Sequence, residues 1–175
     1  MRIPMLISYP RSGRSWLKQA VRAVTGYPLN GVHSGNSRRG RKFYRNHDCD
    51  SLILLLRDPA VSWARRATCN YRFRIYAQNI LYYDQFADSK LLLHYENIFE
   101  PRQIYAIADW LKLPYEPFGD FEAVRQQIFK RYHKNKRVKY ERRDPTPEEI
   151  VDAHKRCKQL LPSDIYEKYL GRYVS

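Results

Sequence analysis

The sequence contains no apolar run approaching the ~20 residues that cross a bilayer, which excludes a transmembrane helix from its expected elements. Cysteine is scarce. Cys49, Cys69 and Cys157 are the only three, they lie far apart, and no CxxC pair occurs. That excludes a disulfide framework and a cysteine-ligated zinc site, and it fits a reducing compartment. The apolar stretch ahead of Pro10 is too short for a secretory signal, so the expected location is cytoplasmic. Acidic residues are few, 18 against 32 Lys and Arg, which leaves a net charge of +14. The GxxxxGK[ST] phosphate loop of nucleoside-triphosphate kinases is missing. Repeats and low-complexity tracts are missing as well.

What remains is the composition of a folded domain. Apolar residues make up 43% and aromatic residues 14%, with 15 tyrosines, too apolar for a disordered chain. A length of 175 residues suits one domain, which buries roughly 70% of its unfolded surface and folds without staples. The charge attracts polyanions, whether nucleic acid, anionic lipid, phosphorylated cofactors or sulfated products.

The pattern along the chain alternates strands with helices. Met5 to Tyr9 reads as a short buried strand and Ser15 to Val24 as a helix with apolar positions 17, 20, 21 and 24. Residues 30–42, rich in Gly, Ser and Arg, read as a loop. Ser51 to Leu56 is continuously apolar, as a parallel strand covered on both faces should be. Asp58-Pro59 opens a helical stretch over residues 60–87, and Lys90 to Tyr95 is a third strand. Helices follow at Pro101 to Leu111 and over residues 119–132, then a basic loop over 133–143. Thr146, Pro147 and Glu149 form a helix start in capping-box spacing. The expectation is one α/β domain over residues 1–175, a three-layer sandwich with a mainly parallel central sheet. The motif-bearing core covers about residues 4–114, and the part over 115–175 is helical.

The segment Ser8-Tyr9-Pro10-Arg11-Ser12-Gly13-Arg14-Ser15-Trp16 carries the most chemistry. It joins a strand to a helix, whose first N–H groups have no intrahelical partner and whose dipole favours an anion. A glycine lets the backbone approach a phosphate, while hydroxyls at 12 and 15 and guanidinium groups at 11 and 14 add donors. A second strand-to-helix junction, Leu56-Arg57-Asp58-Pro59-Ala60-Val61-Ser62, lies on the next long strand. Two such junctions at the carboxyl ends of parallel strands meet where open α/β sheets bind ligands.

The first segment resembles the 5′-phosphosulfate loop of the sulfotransferases that use 3′-phosphoadenosine-5′-phosphosulfate (PAPS), whose pattern is Tyr-Pro-Lys/Arg-Ser-Gly-Thr-Thr-Trp. Arg11 stands where Lys is common and Arg14 where Thr is. Arg clamps phosphate oxygens but, unlike Lys, gives no proton to a leaving group. The second junction resembles the family's 3′-phosphate motif, with a shorter spacer between Pro59 and Ser62. Leu91 to Ile98 is similar to its strand ending in Tyr-Glu-Asp-Leu.

The resemblance implies a P-loop-like sulfotransferase fold and transfer of a sulfuryl group from PAPS to a hydroxyl or amine, with adenosine 3′,5′-bisphosphate as product and no metal. It assigns Arg11, Ser12, Gly13, Arg14, Ser15 and Trp16 to the phosphosulfate and adenine, Arg57 and Ser62 to the 3′-phosphate, and Tyr95 to the adenine. Catalytic roles fall to Arg11 and to His47, which precedes the second motif as the family's base does; His33 and His94 are its rivals. The family's closing Arg-Lys-Gly loop is not matched, and Lys136, Arg137 and Lys139 are the nearest substitutes. The acceptor is a small molecule or carbohydrate. A basic nucleic-acid-binding protein and a PAPS-binding protein without turnover are the alternatives.

Overall fold

The structure, a computed structural model, describes residues 4–9, 12–33, 49–64, 73–134 and 144–174. Among them four strands form one all-parallel sheet: β1 (Pro4–Ser8), β2 (Gly31–Val32), β3 (Ser51–Leu56) and β4 (Ser89–His94), in the order β2-β1-β3-β4. The register sets Ser8 opposite Leu55 and Leu56 opposite His94. The helices are α1 (Arg14–Thr25), α2 (Pro59–Ala64), α3 (Phe73–Asp84), α4 (Pro101–Trp110), α5 (Phe121–Lys134), α6 (Pro147–Leu160) and α7 (Ser163–Leu170), with a 3-10 turn at Gly171–Tyr173.

Side chains alternate along a strand, and the two central strands are buried on both faces. Met5, Ile7, Tyr9, Leu52, Leu54 and Leu56 face one core, shared with residues of α2, α3, α6 and α7. Leu6, Ile53, Leu55, Leu91 and Leu93 face the other, shared with α1, α4 and α5. The architecture is therefore α/β in three layers, helices over sheet over helices.

The chain steps from β1 one way to β2 and the other way to β3, so the sheet order reverses at β1. The crevice at the carboxyl ends of β1 and β3 is the switch point of the sheet. It is bounded by the two junctions singled out above.

One feature departs from the sequence reading. Gly31–Val32 lies in the span read as a loop but pairs with β1, through Leu6 opposite Gly31 and Ile7 opposite Val32. A two-residue strand has no periodicity and exists only by its pairing. The helical stretch over 60–87 corresponds to α2 and α3, and residues 65–72 lie outside the described residues. Beyond Pro162 the chain forms α7, which closes the core with Tyr166, Tyr169 and Leu170. The start of α6 follows the capping-box spacing: Glu149 N–H donates to the Thr146 hydroxyl (3.3 Å) and Thr146 N–H to the Glu149 carboxylate (3.0 Å).

Candidate anion site at the switch point

Three residues far apart in sequence meet at the carboxyl edge. Gly13 takes the left-handed conformation (φ 82°, ψ 6°) and forms the N-cap of α1. A Cβ placed there would lie 2.8 Å from the Tyr95 ring and 2.8 Å from Ile98 Cδ1, so only glycine fits both the turn and the close approach. On the Tyr95 ring lies the Arg57 guanidinium, 3.6 Å from the ring centroid. Arg57 continues the row of Ile53 and Leu55 onto the face covered by α1, and the Tyr95 N–H donates to the Leu56 carbonyl (2.7 Å), which fixes the two neighbours side by side. Arg57 is only 6% exposed. Holding a buried cation flat against an aromatic face orients its fork of donors.

The first loop leaves hydroxyls unmet. Ser8 at the end of β1 and Ser12 beside the α1 N-terminus are buried, and neither Oγ has a hydrogen-bond partner. Buried hydroxyls are normally paired, so two unpaired ones beside a helix start suit an anionic ligand. The first bond of the α1 ladder runs from Leu17 N–H to the Gly13 carbonyl (3.0 Å), so the amides of Ser15 and Trp16 precede it. The Ser12 amide turns back to the Tyr9 carbonyl (3.3 Å), which leaves Ser12 its hydroxyl as the group to offer a ligand.

Arg14 is placed differently from Ser12 and Gly13. Its side chain passes Gly31 in β2, where an added Cβ would sit 3.2 Å from Arg14 Cδ, and its Nη2 bonds His33 Nε2 at 2.8 Å. Guanidinium only donates, so Nε2 accepts and the ring proton sits on Nδ1. The His33 carbonyl in turn accepts from Asn79 Nδ2 (2.9 Å). An imidazole whose lone pair is engaged by a cation is poorly suited to take a proton from an acceptor.

Trp16 is 6% exposed and packs against Phe99 (centroids 4.8 Å) and Phe121 (6.3 Å), with its Nε1 unpartnered. Phe99 also meets Tyr95 edge-on at 5.0 Å, so Arg57, Tyr95, Phe99 and Trp16 form one continuous row of contacts. Ser62 is fully buried in α2 and its hydroxyl has no partner. Ser15 is exposed on the first turn of α1.

Arg11 and His47, the catalytic residues expected from the sequence, lie outside the described residues, as do Lys136, Arg137 and Lys139. The rival His94 sits at the end of β4 with Nδ1 bonded to the Tyr173 hydroxyl (2.9 Å). Burial, with a smaller push from Arg172, lowers its pKa from 6.5 to about 4, which makes it a weak base.

Sequence reasoning missed four supporting residues. The Tyr76 hydroxyl donates to the Arg57 carbonyl (2.6 Å). His154 of α6 faces Asp58 at 3.6 Å, and Tyr166 of α7 bonds the other nitrogen of its ring. Phe99 joins Tyr95 to Trp16. Tyr76, His154 and Tyr166 sit on helix faces that read as core and Phe99 lies in the turn after β4, and only a histidine amid Ala153 and Cys157 was a signal in the sequence.

Among the described residues no group of three or more His, Cys, Asp and Glu is arranged to hold a metal ion, and no helix is long and apolar enough to cross a membrane. No protein-family model matches the chain, and no curated protein matches it.

Proposed function

We propose that the protein is a sulfotransferase of the PAPS-using, P-loop-like type, acting on a hydroxyl or amine of a small-molecule or carbohydrate acceptor in the cytoplasm. The observation that carries the reading is the convergence of Gly13, Tyr95 and Arg57 at the switch point, beside the buried, unpartnered hydroxyls of Ser8 and Ser12. A glycine whose Cβ space is taken, a helix start and a buried arginine form a donor set suited to a nucleotide with phosphates at two ends.

The residues divide that work. The Ser12 hydroxyl, the first-turn amides of α1 and Arg11 receive the 5′ end. Arg57, with Ser62, receives the 3′-phosphate. Tyr95 and the Phe99–Trp16 pair border the base. PAPS, when bound, supplies the sulfuryl group and departs as adenosine 3′,5′-bisphosphate. Arg11 and the amides stabilise negative charge at the leaving oxygen without giving up a proton, because guanidinium stays charged. By the family resemblance His47 takes the acceptor proton; of its rivals, His33 is engaged by Arg14 and His94 is weakened by burial.

Calorimetric titration with adenosine 3′,5′-bisphosphate tests the reading. The wild type binds and Arg57→Ala loses at least about ten-fold in affinity, as expected for one charge-assisted contact. His47→Ala keeps the affinity and loses transfer from PAPS. The charge of +14 favours a second reading, a nucleic-acid-binding protein. That reading gives steeply salt-dependent binding to single-stranded nucleic acid and no heat with the bisphosphate.

A further inference from the structure

The turn that carries Arg57 is two residues long, between Leu56 at the end of β3 and Pro59 at the start of α2. The Arg57 side chain goes to the α1 face of the sheet, onto Tyr95. The main chain of the same turn is held from the opposite face. Tyr76 of α3, 2% exposed, donates its hydroxyl to the Arg57 carbonyl at 2.6 Å. Asp58 Oδ1 accepts from Ala60 N–H (2.7 Å) and faces His154 Nε2 at 3.6 Å. His154 Nδ1 pairs with the Tyr166 hydroxyl at 2.8 Å. With the ring proton on the nitrogen that faces the carboxylate, Nδ1 accepts from Tyr166, while Nε2 stops short of a hydrogen bond to Asp58 and has no hydrogen-bond partner. His154 and Tyr166 are themselves buried.

These polar atoms lie in an otherwise apolar core of Leu54, Leu56, Ala60, Ala153 and Cys157. Phenylalanine would fill the volume of either tyrosine without the cost of burying a hydroxyl. Tyr76 nonetheless bonds the turn directly, and Tyr166 bonds the His154 ring whose other nitrogen faces Asp58. Tyr76 also meets the Tyr9 ring edge-on at 5.5 Å, so the same side chain touches the strand end before the first loop and the turn of the second.

We propose that Tyr76, His154 and Tyr166 are positioning residues that fix the Arg57–Asp58 turn so that the guanidinium on Tyr95 is pre-set for the second phosphate of the nucleotide. This rests on the nucleotide reading above. The three are buried and act only through the turn. The C-terminal helices α6 and α7 thereby become part of the binding apparatus, although no phosphate contact is assigned to them.

The test compares adenosine 3′,5′-bisphosphate with adenosine 5′-monophosphate by calorimetry, since their difference isolates the extra phosphate. Tyr76→Phe weakens bisphosphate binding about ten-fold, the effect of losing a buried hydrogen bond to the turn, and leaves the monophosphate within about two-fold. Tyr166→Phe moves the same ratio in the same direction by less. Should Tyr76→Phe fail to fold, as read by thermal unfolding, Tyr166→Phe and Asp58→Asn carry the comparison. Variants that keep the wild-type ratio, or that weaken both nucleotides equally, overturn the proposal by leaving these residues a purely structural role. A wild type that binds both nucleotides equally overturns the nucleotide reading itself, and the proposal with it.

Discussion

The loop after β1 and the turn after β3 stand side by side at the switch point yet are built in opposite ways. The first relies on the main chain: a left-handed glycine, a helix start, and serine hydroxyls without protein partners. The second relies on one long side chain that lies over Tyr95, while its carbonyl is held by Tyr76 and the next carboxylate faces His154 at 3.6 Å. Main-chain amides are positioned by the fold itself, so a backbone cradle needs only room. An arginine has many rotamers, and ordering it costs entropy unless its surroundings have already done so.

Breaking the first loop has the largest expected effect. Gly13→Ala puts a Cβ at 2.8 Å from Tyr95 and Ile98 on a backbone with φ 82°. Strain and overpacking together cost about 1–3 kcal/mol of stability, measured by urea unfolding, and bisphosphate binding falls more than about ten-fold. Tyr95→Leu sharpens the contrast by removing the ring beneath the Arg57 guanidinium. The lost cation–π contact weakens bisphosphate binding by about five-fold, with the monophosphate affected less.

The comparison also shows what was legible in the sequence. The long strands, α1, α4 and the capped start of α6 follow from apolar runs, 3.6-residue periodicity and capping residues, all local signals. Ser12, Gly13, Arg57 and Tyr95 sit at strand ends, where a break in the apolar run marks the carboxyl edge, and they come together. Arg14 was expected in the cradle, but its side chain goes to His33. That partner stands beyond β2, the strand whose two residues give no local signal. Tyr76 and His154 were invisible for a related reason. Their function lies in one polar atom aimed at a turn 19 or 96 positions away, while their spacing along α3 and α6 is that of ordinary core residues.

Two smaller effects bound the account. Thr146→Ala removes the side-chain half of the capping box of α6 and costs about 1 kcal/mol in chemical unfolding. Bisphosphate affinity stays unchanged, because α6 supports the second turn through its packed middle, not its exposed first turn. His94 gives the smallest effect, confined to mild acid. Its folded pKa of about 4 lies below the ordinary 6.5, so the unfolded chain takes up a proton first as pH falls. Its contribution is complete above about pH 6.5, declines as pH falls from there, and is gone below about 4. His94→Gln flattens the thermal midpoint across that window. The loss below it, where Asp84 gives up its bonds to Lys168 and Tyr169, is left in place.

The most direct test is a crystal structure of the wild-type protein grown with adenosine 3′,5′-bisphosphate. The account predicts one phosphate within hydrogen-bond distance of the Ser12 hydroxyl and the first-turn amides of α1, and the other on the Arg57 guanidinium. A nucleotide bound elsewhere, or none bound at saturating concentration, would contradict it.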